Sequence, residues 1–376
     1  MSKWPGKYII GLTGNIATGK SVVRRMLEHL GAYTIDADAL AHRAIAKGAP
    51  AYQAVIDLFG KWLLGANGEI DRARLGNVVF RDPQALEQLE KIIHPIVEQA
   101  VMLLAKRATQ KVVVIEAIKL LESELRHLCD AIWVTYAPEE IQIERLVRKR
   151  GMSREQAIER IRIQGPQSHK VAAASVVLRN TGSFEDLWRQ VNEAWKQIAP
   201  LPETATPARA EEVGELTVQR GRLRDAQTIA DLIVTFSKGQ QQMTAEDVMA
   251  AFGDKAYLLL RAGGRWIGLI GWQVENLVAR STDLFLDPSA DPATAIGALI
   301  REVERASQEL QAETSLVFVS PELAANLHLW KQLGYEQRTP QALGVQAWQE
   351  AALESMPPGT VLFFKQLRQD RVLRPI

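Results

Sequence analysis

The stretch Gly14-Asn15-Ile16-Ala17-Thr18-Gly19-Lys20-Ser21 limits what this chain can fold into more than any other, because it fits G-x-x-x-x-G-K-[ST] without a mismatch. The short apolar run Tyr8–Leu12 precedes it and reads as a buried strand. Val22 to Leu30 follows with apolar residues at helical spacing. Strand, loop and helix are the context that a phosphate cradle needs. Successive backbone N–H groups point inward there, and the helix N-terminus adds positive potential. In such a cradle Gly14 to Val22 would hold a nucleoside triphosphate, Lys20 would reach the β- and γ-phosphates, and the Ser21 hydroxyl would ligate Mg²⁺.

Composition sets the outer bounds. At 376 residues, with 47% hydrophobic and 24% charged residues, the chain suits two globular domains with sizeable cores. A net charge of +1 gives no bulk electrostatic case for a nucleic-acid or acidic-membrane partner. The single cysteine, Cys129, excludes an intrachain disulfide and fits a reducing compartment. No signal-peptide core and no run of about 18 apolar residues appears. The expectation is a soluble cytoplasmic protein; the oligomeric state is not readable.

Along the first half, Ala32–Ile35 reads as a second strand that delivers Asp36 and Asp38 at its carboxyl edge. In an open α/β sheet the ligand crevice lies outside those edges, so the two carboxylates and the loop open into one crevice. The alternative is that Asp38 only caps a helix over Ala39–Ala46. Helical patterns cover Ala51–Phe59, Arg72–Phe80 and Pro83–Arg107, with a hairpin or loop over Gly60–Gly68 around Asn67-Gly68. This helical insertion suits a lid or an acceptor-binding module. His94-Pro95 is expected to interrupt the long helix, since proline removes a donor and disfavours a helical His94.

Lys111–Ile115 is a nearly continuous apolar third strand, as a central parallel strand should be, with Glu116 where a carboxylate near Mg²⁺ would sit. Ala131–Thr135 and Val176–Leu178 are the fourth and fifth strands. The helix opened by Pro138 ends in Arg145-Leu-Val-Arg148-Lys149-Arg150, with Arg145 and Arg148 on one face. These arginines are either a solvated basic end or a lid over phosphates. Further helices are expected over Ser153–Gln164 and Phe184–Ile198. From 199 to 214 acidic residues, prolines and small residues read as a linker. The divisions are 1–198, 199–214 and 215–376. The last reads as an α+β domain: strands Leu216–Gln219, Ala256–Leu260, Trp266–Trp272, Thr282–Leu286, Ser315–Val319 and Val361–Phe364, with helices Asp225–Thr235, Thr294–Leu310 and Glu322–Leu333.

The absence of an Asn-Lys-x-Asp signature disfavours a GTPase. Phosphoryl transfer to an alcohol profits from a carboxylate that accepts the hydroxyl proton, which Asp-x-Asp beside the cradle can supply. At this point residues 8–195 resemble the dephospho-coenzyme A kinases. Ile10–Gly14 with the loop looks like that family's opening, Ile35-Asp36-Ala-Asp38 like its Ile-Asp-Ala-Asp, and Asp71-Arg72 with Leu75 and Val79-Phe80 like its following helix. His94-Pro95, Gln142 with Arg145, Gln164, and Asn180-x-Gly182 match further positions.

The resemblance implies an α/β P-loop kinase fold with a parallel sheet and helical insertion, and transfer of phosphate from MgATP to the ribose 3′-hydroxyl of dephospho-CoA. It implies Asp38 as base, with Lys20 and Arg145 as the other catalytic groups. Asn180 and Gly182 would lie near the adenine, Asp36, Arg72 and His94 on the acceptor side, and Ser21 and Glu116 at the metal. Three places in the chain depart from the pattern. Asn15 and Ala17 stand where glycines are usual, Ile118-Lys-Leu-Leu-Glu122 replaces Pro-Leu-Leu-Phe-Glu, and Ser175 replaces an Asp.

The second half resembles the GCN5-related N-acetyltransferase fold in element order and in Asn326…Leu329-Trp330-Lys-Gln-Leu-Gly334-Tyr335-Glu336. Its pyrophosphate loop is degenerate. Pro292-Ala-Thr-Ala295-Ile-Gly297 stands in place of [QR]-x-x-G-x-[GA], with Asp291 adding a negative charge. A non-catalytic second domain is expected. The competing functions are a nucleoside monophosphate kinase and a nucleotide-sensing module with an inactive kinase site.

Overall fold

The computed structural model describes residues 4–79, 81–198, 216–370 and 372–373. The chain divides into two compact units: residues 1–194 together with 370–376, and residues 195–369. The linker expected at 199–214 lies outside the described residues, as does Phe80.

The first unit is a five-stranded parallel sheet in the order β2-β3-β1-β4-β5, with β1 Tyr8–Thr13, β2 Tyr33–Asp36, β3 Val112–Glu116, β4 Ala131–Tyr136 and β5 Val176–Arg179. Ile9, Ile10, Leu12, Val113 and Val114 are fully buried, as strands covered on both faces demand. Its helices are α1 Lys20–His29, α2 Ala37–Ala44, α3 Tyr52–Phe59, α4 Arg72–Val79, α5 Pro83–Arg107, α6 Glu139–Arg150, α7 Arg154–Ile163, α8 Gln167–Ala172 and α9 Phe184–Gln197. The chain leaves β1 for β2 on one side of the sheet and later reaches β4 on the other, so the switch point falls at β1, whose carboxyl end is the P-loop. Register does the rest, because Asp36 and Leu12 both pair with Glu116 and three strand ends arrive together.

Three local expectations are corrected. α2 begins at Ala37 because Asp36 is its cap, its Oδ1 accepting from the Ala39 N–H at 2.8 Å; Asp38 lies inside the first turn and caps nothing. α5 runs unbroken through His94 and Pro95. His94, Pro95 and Lys91 all lie on the exposed side, so the Lys91 carbonyl that loses its partner can bond to water, while Leu89, Ile93, Val97, Val101 and Leu104 keep a continuous buried stripe. Arg145 and Arg148 part company, Arg145 half-buried and Arg148 exposed. The turn at Asn67-Gly68 is present: Leu64 bridges Ile70 antiparallel, and Gly68 takes φ 76°.

The second unit is a seven-stranded mixed sheet in the order β11-β12-β10-β9-β8-β7-β6. Its strands are β6 Leu216–Arg220, β7 Ala256–Ala262, β8 Arg265–Glu275, β9 Val278–Leu286, β10 Thr314–Val319, β11 Glu336–Arg338 and β12 Val361–Gln366. Its helices are α10 Ala226–Phe236, α11 Ala245–Ala251, α12 Pro292–Glu309, α13 Pro321–Ala324, α14 Leu327–Gln332 and α15 Gln346–Ser355. All neighbours are antiparallel except β9 and β10. α12 packs Ile296, Leu299, Ile300 and Val303 against Leu258, Leu260 and Ile270, and α15 covers a second cluster with Trp348 against Leu316, Phe318 and Phe364. The single helix expected over Glu322–Leu333 is two short ones, because the Asn326 side chain caps a new start by accepting from the Leu329 N–H.

Candidate nucleotide and acceptor site

The P-loop is shaped by what crowds it. Gly14 takes φ 153°, and a Cβ there would lie 2.3 Å from Thr135 Oγ1 on β4; Gly19 takes φ 101°, and a Cβ there would lie 2.1 Å from Asn180 Nδ2. Only glycine fits at either position. The loop is stitched from outside by Thr18 Oγ1 to Thr135 Oγ1 at 2.7 Å, the Ile16 N–H to Gln164 Oε1 at 2.7 Å, and Asn15 Nδ2 to the Gly165 carbonyl at 2.9 Å.

Ala17 sits at φ 61°, where a Cβ costs about 1–2 kcal/mol. Arg145 Nη1 donates to its carbonyl at 3.1 Å, and Arg145 Nη2 donates to the Asn180 carbonyl at 3.0 Å and to Asn180 Oδ1 at 3.1 Å. Asn180 Nδ2 in turn donates to the Thr18 carbonyl. Arg145 and Asn180 therefore clamp the loop that was expected to bind the nucleotide with them. Gly182 sits beside the Asp186 carboxylate, which serves the Ser183 turn.

Lys20 is buried and its Nζ donates to the Gly14 carbonyl at 3.0 Å; burial lowers its pKa, against the opposing pull of Glu116, Asp38 and Asp36. Asp38 is raised to about 6, first by burial and then by the charge of Asp36, while an N–H from Ile118, Lys20 and Lys170 work the other way. Burial raises Glu116 as well, opposed most by Arg24, whose Nε lies 2.8 Å from Glu116 Oε2. That pair continues into a buried network in which Arg24 and Arg25 meet Glu28 and the Thr34 hydroxyl donates to it. Ser21 is exposed at the first turn of α1.

The structure thus brings Lys20, Asp36, Asp38 and Glu116 into one electrostatic cluster at the sheet edge. It places Arg72 exposed at the start of α4 and His94 exposed on α5, so their acceptor role rests on the resemblance alone. Two residues that the sequence reading passed over belong to the site. Thr135 walls the loop from β4. Lys170 on α8 is 5% exposed, with Nζ donating to the Ile118 carbonyl at 2.9 Å. An ammonium that dry signals a site, but its partner lies 52 positions away, beyond any local pattern. Ser175, which replaces an Asp, accepts from the Ile132 N–H at 3.2 Å and so keeps an edge role between β4 and β5.

The residues fit the groups they were expected to hold. A helix start with no side-chain cap and no acidic residue in its first turn suits a polyphosphate. A hydroxyl and carboxylates, with no thiolate or imidazole among them, suit a hard cation that brings its own phosphate oxygens. Among the described residues no cluster of three His, Cys, Asp or Glu forms a metal cage, and no helix is long and apolar enough to cross a membrane.

A parallel sheet with this loop at its central strand and carboxylates on the flanking strand ends defines a P-loop kinase. The family model for dephospho-CoA kinase matches residues 8–186. The dephospho-CoA kinase of Carboxydothermus hydrogenoformans is 45% identical over 49% of this chain and 90% of its own length. That of Geobacter sulfurreducens is 40% identical over 51% and 99%. The chain belongs to the dephospho-CoA kinase family. A solved GNAT-family acetyltransferase from Staphylococcus aureus Mu50 is also similar to part of the chain, 10% identical over 41% of this chain and 100% of that one, with a TM-score of 0.33.

Proposed function

We propose that the first unit transfers the γ-phosphoryl group of MgATP to the ribose 3′-hydroxyl of dephospho-CoA, giving coenzyme A. The observation that carries this is a half-buried aspartate, Asp38, held with its pKa near 6 beside Lys20 at the mouth of the phosphate cradle. Asp38 accepts the hydroxyl proton as the new O–P bond forms and the bond to the leaving β-phosphate oxygen breaks. Lys20, freed from the Gly14 carbonyl, follows the charge on the moving group. The Arg145–Asn180 clamp fixes the loop so that its N–H groups are already aimed. Ser21 and Glu116 would hold Mg²⁺, whose contribution would be to neutralise phosphate charge. Arg72 and His94 are proposed for the acceptor side.

We propose a non-catalytic role for the second unit. Pro292–Gly297 is the first turn and a half of α12 and forms no loop; Asp291 closes that helix end by accepting from the Thr294 N–H. A diphosphate would meet a carboxylate there in place of free donors.

The test is an ADP-release assay on the full chain with MgATP and, in separate reactions, dephospho-CoA, AMP, CMP and UMP. Turnover with dephospho-CoA alone is expected. Preference for a nucleoside monophosphate would replace the reading with that of a nucleoside monophosphate kinase. Tight ATP binding without turnover on any acceptor would replace it with a nucleotide sensor.

A further inference from the structure

Ile118 follows β3 by two residues and is gripped at both of its backbone groups. Its N–H donates to Asp38 Oδ2 at 3.0 Å. Its carbonyl accepts from Thr13 Oγ1 at 3.1 Å and from Lys170 Nζ at 2.9 Å. Thr13 is the last residue of β1, directly before Gly14, and Lys170 lies on α8, whose Gln167 is in turn fixed to the Ala137 carbonyl at 2.9 Å. Ile118 is therefore locked to the central strand and to α8. Its N–H is aimed by those bonds and not by a helix or sheet ladder.

A carboxylate on a short side chain turns about χ1 and χ2, so a bond to one oxygen decides where the other points. With Oδ2 occupied by Ile118, and no hydrogen bond described at Oδ1, one oxygen is fixed and the other is available to a hydroxyl. Proline, the residue of the family pattern at this position, has no N–H and could not make that bond.

We propose that Ile118 is the positioning residue for Asp38. Its N–H orients the carboxylate toward the acceptor hydroxyl, and Lys170, by holding the Ile118 carbonyl, ties that orientation to α8. This rests on Asp38 being the base. The charged groups acting on Asp38 are Asp36, Lys20 and Lys170, with Glu116 in the same cluster. Only Ile118 acts through a neutral donor, so its contribution can be removed without changing any charge.

The experiment uses the full chain and compares Ile118→Pro, Ile118→Ala, Lys170→Met, Lys170→Arg and Asp38→Asn. The readouts are kcat, KM for ATP and for dephospho-CoA, and the acid limb of the kcat profile. Ile118→Pro should lower kcat by about tenfold with KM for ATP within about twofold, since the one hydrogen bond lost is to Asp38 and no donor of the phosphate loop is removed. Its acid limb should move up by about half to one pH unit, because the lost bond favoured the ionised carboxylate. Ile118→Ala, which keeps the N–H, should lose at least about fivefold less than Ile118→Pro. Lys170→Met should lower kcat and raise the limb in the same sense, and Lys170→Arg should restore part of both.

Equal losses in the Pro and Ala variants, or an unmoved acid limb in Ile118→Pro, overturn the proposal. Should Ile118→Pro melt early, the Lys170 pair decides on the high-pH plateau, where Asp38 is ionised in every variant and the direct charge effect on its titration drops out: a parent-like plateau kcat in Lys170→Met overturns it, and a lowered plateau kcat partly restored by Arg sustains it. A parent-like Asp38→Asn refutes the base assignment itself. Collapse of Asp38→Asn beside a parent-like Ile118→Pro refutes only the positioning.

Discussion

Two helix N-termini in this chain face opposite ways in chemistry. α1 starts at Gly19 in a left-handed conformation, with no side-chain cap and no acidic residue in its first turn. α12 starts at Asp291, whose carboxylate takes the Thr294 N–H, with proline next and therefore one donor fewer. Each is the opening of a helix that a phosphate-binding pattern would use. The first leaves its backbone donors for an anion and gives up the stability of a cap to do so. The second takes the cap, which leaves one donor fewer and a carboxylate at its start. The two starts share a helix dipole, so the proposed difference between them rests on the cap.

The comparison is open to test, from large effects to small. Asp38→Asn should lower kcat by a factor on the order of 10²–10⁴ and leave ATP affinity nearly intact, because the amide keeps the volume and loses the proton acceptor. Calorimetric loss of ATP binding in that variant would make Asp38 a metal or structural residue.

Lys20→Ala should cut turnover by at least about 10², since Lys20 is the cation carried by the phosphate loop itself, with Nζ at the Gly14 carbonyl. Steady-state rates within tenfold of the parent would undo the contrast between the two helix starts.

The parent's kcat/KM should fall as the pH drops through about 6, where Asp38 takes up its proton. Asp36→Asn removes a like charge beside that carboxylate, so the limb should shift to lower pH. A pH-rate series on the two proteins reads the sign directly.

At the small end, Ala17→Gly should stabilise the first unit by about 1 kcal/mol by relieving the left-handed alanine, less the added chain entropy. Asp291→Ala should lower the unfolding midpoint of the second unit slightly and leave ATP binding untouched. Denaturant titration distinguishes both from no effect.

Much of this was legible in the chain itself, and the reasons differ by residue. The strands, the P-loop and the carboxylate edge follow from local patterns: apolar runs of strand length, the fixed spacing from Gly14 to Ser21, and Asp36-Ala-Asp38 at a strand end. Pattern could not say which aspartate caps, because both stand one helical step from the same start; the structure gives that task to Asp36 and frees Asp38. Pro95 stops helices in isolation but not here, where a buried stripe on the opposite face outweighs one lost bond. α8 is only six residues long, too short for a periodic signal, so Lys170 was hidden with it. The Arg145–Asn180 clamp joins positions 35 apart, and the Ile118–Asp38 bond joins positions 80 apart. Long-range pairs of this kind are products of the sheet order, and no local spacing encodes them.

The central claim is that the open helix start and Asp38 together make the 3′-phosphate of coenzyme A. Incubating the full chain with MgATP and dephospho-CoA, and following the acceptor by mass and fragment position, tests it in one measurement. The account predicts coenzyme A carrying its new phosphate on the ribose 3′-oxygen, formed by the parent and lost in Asp38→Asn. ATP consumed with the acceptor unchanged, or an Asp38→Asn protein that still makes coenzyme A at the parent's rate, would contradict it.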